Sequence, residues 1–304
     1  MTKNRVEEQK GYVSALIGTI AFSSLYVFSK AGLNQVELAQ FGIYYFGTAF
    51  VLNLIFALSS GKAREIVALP RKFIYLLLAI ATIDLVANIT FFLAIQTMPD
   101  PSVTSFLGNL FPVFLTGLSI VFLNERFSLI EAVGGALAIA GAFVISYTGE
   151  LDWQKLFIPG TGFVLINTFL AATFSVLVKK NIHKASPVIF NLNSNWWIFL
   201  AFFAYFLWSG QSAIIPARAF LNIMLSAFFG SFIGLLSLYY SYQYIDASRS
   251  SIVQSLKGIF VLIIAWLYFG NLPLPIQLLG GGITILGVVV MTMAQAGIIR
   301  IGKK

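Results

Sequence analysis

The chain has 304 residues, 59% of them hydrophobic and 10% charged, and a mean hydropathy of +0.89. Soluble domains carry roughly 25% charged residues, so this chain lacks the polar groups to cover a water-facing surface, and its net charge of +8 does not indicate nucleic-acid binding. Cysteine is absent and His183 is the single histidine, which excludes a disulfide framework, a thiolate nucleophile and paired-histidine metal motifs.

Ten apolar runs follow one another, each near the ~20 residues that cross a bilayer as a helix. They are predicted at 11–32, 38–58, 73–96, 102–123, 129–148, 160–179, 187–208, 219–244, 250–269 and 275–297. The first is too long for a cleaved signal peptide and has no small-residue cleavage site, so it is expected to remain as a helix. None alternates apolar and polar residues as barrel strands do. Prolines fall between runs or at their first turns, where a missing N–H costs little. Pro112 alone lies inside a run and predicts a kink there.

Polar residues inside the runs are the candidate site residues. Lys30 near the end of the first run either snorkels to the interface or enters a cavity. Asp84 lies mid-way along the third run and Lys257 about seven residues into the ninth. A charge at such depth costs at least ~2.5–3.5 kcal/mol, so it faces protein or a cavity. Asp84 is expected to take a substrate ammonium or a coupling proton and Lys257 a carboxylate or phosphate; the bland alternative pairs the two with each other. Asn88, Asn109 and Asn167, in the third, fourth and sixth runs, either bond solute or tie helices together. In the eighth run Tyr240 is the expected pocket tyrosine and Tyr244 an interfacial one. Gly230–Gly234 in the eighth run and Ala132, Ala136 and Ala140 in the fifth predict close helix packing. Glu125 and Arg126, in a short turn after the fourth run, suit a turn or gate. His183 falls in a basic loop and is expected to be solvated.

Basic residues orient the chain. Fifteen fall in segments that share a side with the N-terminus, against Lys30, Lys155 and Arg218 opposite. Both termini are therefore expected in the cytoplasm. An internal repeat also emerges. A shift of 146 places Asp100 on Asp246, Ser102 on Ser248, Ser105 on Ser251, and Gly134, Gly135 and Gly141 on Gly280, Gly281 and Gly287. A shift of 149 matches Gly11, Thr19 and Lys30 with Gly160, Thr168 and Lys179. Halves of five helices must be oppositely oriented. The expected organisation is thus an all-α integral membrane protein of ten transmembrane helices in two inverted five-helix repeats, 11–149 and 150–297, with cytoplasmic tails 1–10 and 298–304.

Pro112-Val113-Phe114, then Phe122-Leu123-Asn124-Glu125-Arg126, then Gly134 and Gly141, resemble the signature of the EamA branch of the drug/metabolite transporter superfamily. Phe22-Ser23-Ser24 followed by Lys30 is similar to that family's opening helix, and Ala94 before the Pro99 loop fits too. The resemblance covers nearly the whole chain. It implies two inverted repeats around a central cavity lined by helices 1, 3, 4, 6, 8 and 9, and it suggests export. It does not choose among amino acids, other metabolites, cationic drugs, nucleotide sugars and choline-like compounds. Four departures stand out: Phe22 for a common tryptophan, Tyr45 for a common arginine, Lys257-Gly258 where a proline is usual, and Asn271 opposite Glu125.

No P-loop, HExxH or GxSxG pattern is present, so transport is expected to be secondary or facilitative. It requires no cofactor, with proton or ion coupling open. The substrate expected from paired deep charges is an amino acid or related zwitterion, with organic anions or sugar phosphates as the alternative. The partners expected are a small solute and the lipid bilayer, not nucleic acid, in the plasma (bacterial inner) membrane. An intramembrane enzyme would need clustered acids, bases or metal ligands, and a structural membrane protein would need no polar cavity.

Overall fold

The computed structural model describes residues 3–65, 69–123, 128–148, 157–181, 184–245, 247–295 and 298. It is all-helical apart from one isolated antiparallel bridge between Tyr147 and Phe157. In chain order the helices are α1 (Lys3–Leu33), α2 (Leu38–Ser59), α3 (Arg71–Thr97), α4 (Pro101–Gly108), α5 (Phe111–Leu123), α6 (Leu129–Ser146) and α7 (Thr161–Asn181). There follow α8 (Pro187–Ser209), α9 (Ala217–Ala227), a π-helical stretch π1 (Phe228–Gly234), α10 (Leu235–Tyr244), α11 (Ala247–Gln254), α12 (Lys257–Phe269) and α13 (Pro275–Gln295). Among the described residues eight helices are long and apolar enough to cross a membrane, and Pro101–Leu115 forms a shorter apolar stretch. The chain is a multi-pass integral membrane protein.

The prolines act where their missing N–H costs least. Pro101, Pro187 and Pro275 open α4, α8 and α13, while Pro70 and Pro216 precede α3 and α9. Ser128 caps α6, its hydroxyl and backbone N–H meeting Glu131 in a capping box.

Three expected helices are interrupted. The 102–123 run breaks at Asn109–Leu110 rather than kinking at Pro112, because the proline ring collides with the carbonyl four residues earlier, that of Gly108. The 250–269 run breaks at Ser255–Leu256 without any proline. The 219–244 run passes through π1. The two breaks correspond: a displacement of 146 carries Pro101–Gly108 onto Ala247–Gln254 and Phe111–Leu123 onto Lys257–Phe269.

Packing follows small residues. A Cβ at Gly134 would stand 2.7 Å from the Gly287 carbonyl oxygen, and one at Gly141 2.7 Å from that of Gly280, so α6 and α13 touch backbone to backbone. The expected alanine ridge is not this seam, since Ala136 and Ala140 are exposed. The seam turns instead on Gly134, Ala138 and Gly141, one helical stripe. Gly230 and Gly234 pack π1 against Leu25 and Phe22 of α1. The largest buried cluster joins α1, α2, α3, α8 and α9 through rings such as Phe41, Tyr45, Phe46, Phe92 and Phe202.

Candidate functional site

The two helix breaks meet. Asn109 Nδ2 donates to the Ser255 carbonyl at 3.3 Å, and a Cβ at Gly258 would stand 2.6 Å from the Phe106 ring. That close approach requires glycine, which accounts for the Lys257-Gly258 pair. α5 and α12 both start at this junction, so the positive ends of both helix dipoles lie there.

Lys257 is the first residue of α12. Its Nζ lies 5.3 Å from the Tyr26 ring centroid and 5.9 Å from that of Phe22, and 3.7 Å from where a Cβ would stand on Gly108. The ammonium is thus framed by α1 and by the end of α4. Among the described residues the only salt bridge joins Lys62 and Glu65, so Lys257 and Asp84 do not pair with each other. Ser105 lies one turn before Gly108 on the same face of α4. Its hydroxyl is fully buried with no hydrogen-bond partner. A cation without a counterion among the described residues, a spare hydroxyl and two helix N-termini make an electropositive junction suited to a carboxylate or phosphate.

Asp84 sits at the midpoint of α3, half-buried. Asn88 donates its amide to Asp84 Oδ1 at 2.9 Å. Asp84, Asn88 and Phe91 lie on one stripe of α3, and Phe91 meets Tyr26 edge-on at 5.0 Å between centroids. Seven residues of helix separate Asp84 from Phe91, about 10 Å of rise. The stripe therefore leads from the carboxylate to the wall of the Lys257 pocket.

The other candidates divide. Lys30, 8% exposed, donates to the carbonyls of Gln96 and Met98 at 3.0 and 2.6 Å, clipping α1 to the end of α3. Asn167 donates to the Ala87 carbonyl at 2.8 Å, tying α7 to α3. Tyr240 is half-buried near Lys62 beyond α2, away from the breaks, and Tyr244 is exposed. Glu125, Arg126 and His183 lie outside the described residues.

Tyr26 and Ser105 are additions that sequence reasoning missed. So is a buried polar ring in which Asn191 donates to Asn53 Oδ1 and to the Ser231 carbonyl of π1, and Ser231 donates to Asn195 Oδ1, at 2.9–3.0 Å. The run Asn191, Asn193, Asn195 in a single apolar stretch was the available signal.

A family model described as "EamA-like transporter family" matches residues 9–147 and 158–293. The chain is 24% identical over 277 residues to "Uncharacterized transporter YdfC" of Bacillus subtilis, covering 85% of this chain and 83% of that one. It is 25% identical over 284 residues to an "Uncharacterized transporter" of Archaeoglobus fulgidus, covering 90% and 93%. A "Probable terminal-alkyne amino-acid exporter" of Streptantibioticus cattleyicolor is 25% identical over 206 residues, 61% of this chain and 62% of that one. A crystal structure superimposes with a TM-score of 0.70 over 94% of this chain and 98% of its own, at 12% identity, a likeness of fold.

Proposed function

The chain belongs to the EamA-like transporter family, and on that premise we propose that it carries a small metabolite across the plasma membrane by alternating access between two inverted five-helix repeats. The helices would number ten, with both termini cytoplasmic. In support, the family model matches two successive segments, and the helix boundaries recur after 146 residues. The seam supports it as well. Gly134 meets Gly287 and Gly280 meets Gly141, the reciprocal pattern of a two-fold axis.

The solute is a small carboxylate-bearing molecule, best an amino acid or related zwitterion, and the direction is export. The observation that carries this reading is the Lys257 ammonium at the junction of two broken helices, with no ion pair among the described residues. It takes the carboxylate, assisted by Ser105, while Asp84 supplies the compensating negative charge and disfavours a solute that is only anionic. The exporter among the relatives, named for an amino acid, agrees. Asn88, on the stripe between the two charges, is the further solute ligand. Asn109, Asn167 and Lys30 serve the frame, and Tyr240 lines the way in from the Lys62 end. Glu125 and Arg126 are retained as the turn or gate after α5. The protein acts as a carrier, not an enzyme.

The second reading, an organic anion or sugar phosphate, is favoured by the two helix N-termini beside Lys257. A thermal-shift screen of detergent-purified protein against amino acids, organic acids, amines and nucleotide sugars separates the two. A ligand at 100 times its Kd stabilises by about 2.7 kcal/mol if it binds only the folded state. Amino-acid hits that vanish in Lys257→Ala support the proposal and lead to a liposome flux assay. Hits confined to anions move it to the second reading, and hits unaffected by Lys257→Glu overturn the site.

A further inference from the structure

Gly108, the last residue of α4, is a buried glycine that its backbone does not require. Its φ is not positive, and glycine in a helix costs stability relative to alanine. The glycines of the seam and of the second break explain themselves. A Cβ at Gly134, Gly141, Gly258 or Gly287 would meet backbone or a ring at less than 3 Å. Beyond its own stretch of chain, a Cβ at Gly108 would meet only two atoms within 4 Å. They are the Tyr26 hydroxyl oxygen at 3.3 Å and Lys257 Nζ at 3.7 Å. The room over Gly108 is thus bounded by a hydroxyl of α1 and an ammonium of α12.

Both groups are donors without an acceptor. A buried tyrosine ordinarily gives its hydroxyl a partner. Tyr26 is 4% exposed, yet among the described residues its hydroxyl makes no hydrogen bond, and neither does the Lys257 ammonium. Ser105, one turn before Gly108 on the same face of α4, adds a third. The buried hydroxyls of Thr19, Ser23, Thr168, Thr284 and Thr292 each donate to the carbonyl four residues back at 2.5–2.9 Å. Ser105 does not, and its hydroxyl has no partner. Leaving a buried donor unmet costs free energy, so three of them around one turn of helix point to an acceptor brought by a ligand.

Charge selects among acceptors. α4 and α5 carry no basic residue, and α12 carries Lys257 alone. From Gly11 onward α1 carries only Lys30, which is committed to the Gln96 and Met98 carbonyls. One full positive charge and neutral hydroxyls match a group with a single negative charge. A phosphate monoester carries about 1.5–2 negative charges at neutral pH, and the second would be buried without compensation. The walls oppose it too. Lys257 Nζ lies 5.3 Å from the Tyr26 ring centroid and 5.9 Å from that of Phe22. Their electron-rich faces already compensate part of the ammonium charge and repel surplus negative charge. Phe91, edge-on to Tyr26, continues this apolar lining.

We propose that the space over Gly108 seats a carboxylate held by the Lys257 ammonium and the hydroxyls of Tyr26 and Ser105, and that Gly108 makes the site selective for singly charged carboxylates over phosphates. The seat rests on the carrier reading above and narrows it to one charge class of head group. A methyl group at position 108 would occupy the place that the carboxylate takes.

Calorimetry on the detergent-purified full chain tests this with butyrate, phenylacetate and L-phenylalanine against phenyl phosphate, which keeps a ring and changes the anion. The unsubstituted chain is expected to bind at least one of the carboxylates roughly tenfold more tightly than phenyl phosphate. Gly108→Ala is expected to weaken that binding about tenfold or more, as overpacking does. Its melting temperature without solute should hold or rise, because alanine favours the helix. Tyr26→Phe is expected to weaken binding about tenfold, the loss of one hydrogen bond to a charged group, and it tests the seat should Gly108→Ala fail to fold. Carboxylate binding that is abolished in Lys257→Ala but unchanged in Gly108→Ala or in Tyr26→Phe overturns the seat and leaves the carrier reading. Phenyl phosphate bound as tightly as the carboxylates overturns the charge selectivity. No carboxylate binding to the unsubstituted chain, or binding that survives Lys257→Ala, overturns the site in the carrier reading and the seat with it.

Discussion

Asn109 donates its side-chain amide to the Ser255 carbonyl at 3.3 Å, and the two residues are 146 positions apart, the displacement that superimposes the two sets of helix boundaries. Each residue lies in the break of its own helix, so one hydrogen bond joins the two interruptions. Interhelical hydrogen bonds in membranes average about 0.6 kcal/mol and reach about 1.7. Asn109→Ala is expected to lower stability within that range in reversible denaturation. No loss would mean that the breaks are held by packing alone.

The α6–α13 seam is expected to be far less forgiving. A Cβ at Gly287 would stand 2.4 Å from the Ala138 nitrogen, which is backbone and cannot turn aside. Gly287→Ala must part the helices, at a cost of about 1–3 kcal/mol as for other overpacked sites. Gly282→Ala, on the same helix with nothing within 4 Å of its Cβ, is the matched control and should leave folded yield unchanged.

Lys30 separates structure from solute binding. Lys30→Met leaves the part-buried Gln96 and buried Met98 carbonyls without their donor, a loss of about 1–3 kcal/mol. The increment produced by a bound solute should be unchanged. A normal melting temperature with a lost increment would instead make Lys30 a solute ligand.

Ser105→Ala should show the opposite pattern. The hydroxyl has no partner to lose in the empty protein, so stability should hold or rise slightly. A hydrogen bond to a charged group is worth about 1.5–3 kcal/mol, so solute affinity should fall at least tenfold, read by calorimetry. Unchanged affinity would exclude Ser105 from the pocket.

A pH-dependent tie lies outside the membrane-spanning segments. Burial pushes the Glu65 carboxyl up, but bonds from Lys62 and from Ser186 at the start of α8 outweigh it and hold the group below its ordinary value. A lowered carboxyl stabilises the fold above its unfolded value, about 4.3, and that contribution disappears as pH falls through the folded value. The Lys62 ammonium is pushed up by its hydrogen bond to Glu65, so its share persists below its unfolded value and is lost as pH rises through the folded one. Glu65→Gln should flatten the acid limb of a stability–pH curve, and an unchanged limb would assign acid sensitivity elsewhere.

Much of this architecture was legible because membrane spans advertise themselves by composition and glycine seams by residue type. A shift of 146 related Gly134 and Gly141 to Gly280 and Gly287, but their contacts run crosswise, Gly134 to Gly287 and Gly141 to Gly280, and the alanine ridge beside them pointed to the wrong face. Pro112 announced a disturbance, but its steric effect falls one turn earlier, and the break at Ser255 has no proline to announce it. Asp84 and Lys257 stood out as charges in apolar runs, and their lack of mutual pairing could not be read from a linear chain. Tyr26 and Ser105 are unremarkable residue types in a membrane helix. Only the folded arrangement shows that one wall is aromatic and one hydroxyl unpartnered.

The glycine seam carries a consequence for biogenesis. Chains emerge N-terminal end first, so α6 is inserted long before α13 exists to cover it. Until α13 arrives, a backbone groove shaped for one particular neighbour stays open to lipid. A ribosome stalled before Pro275 would thus release a product lacking α13, and with it the partner surface of the glycine seam, and quality-control proteases should clear it rapidly.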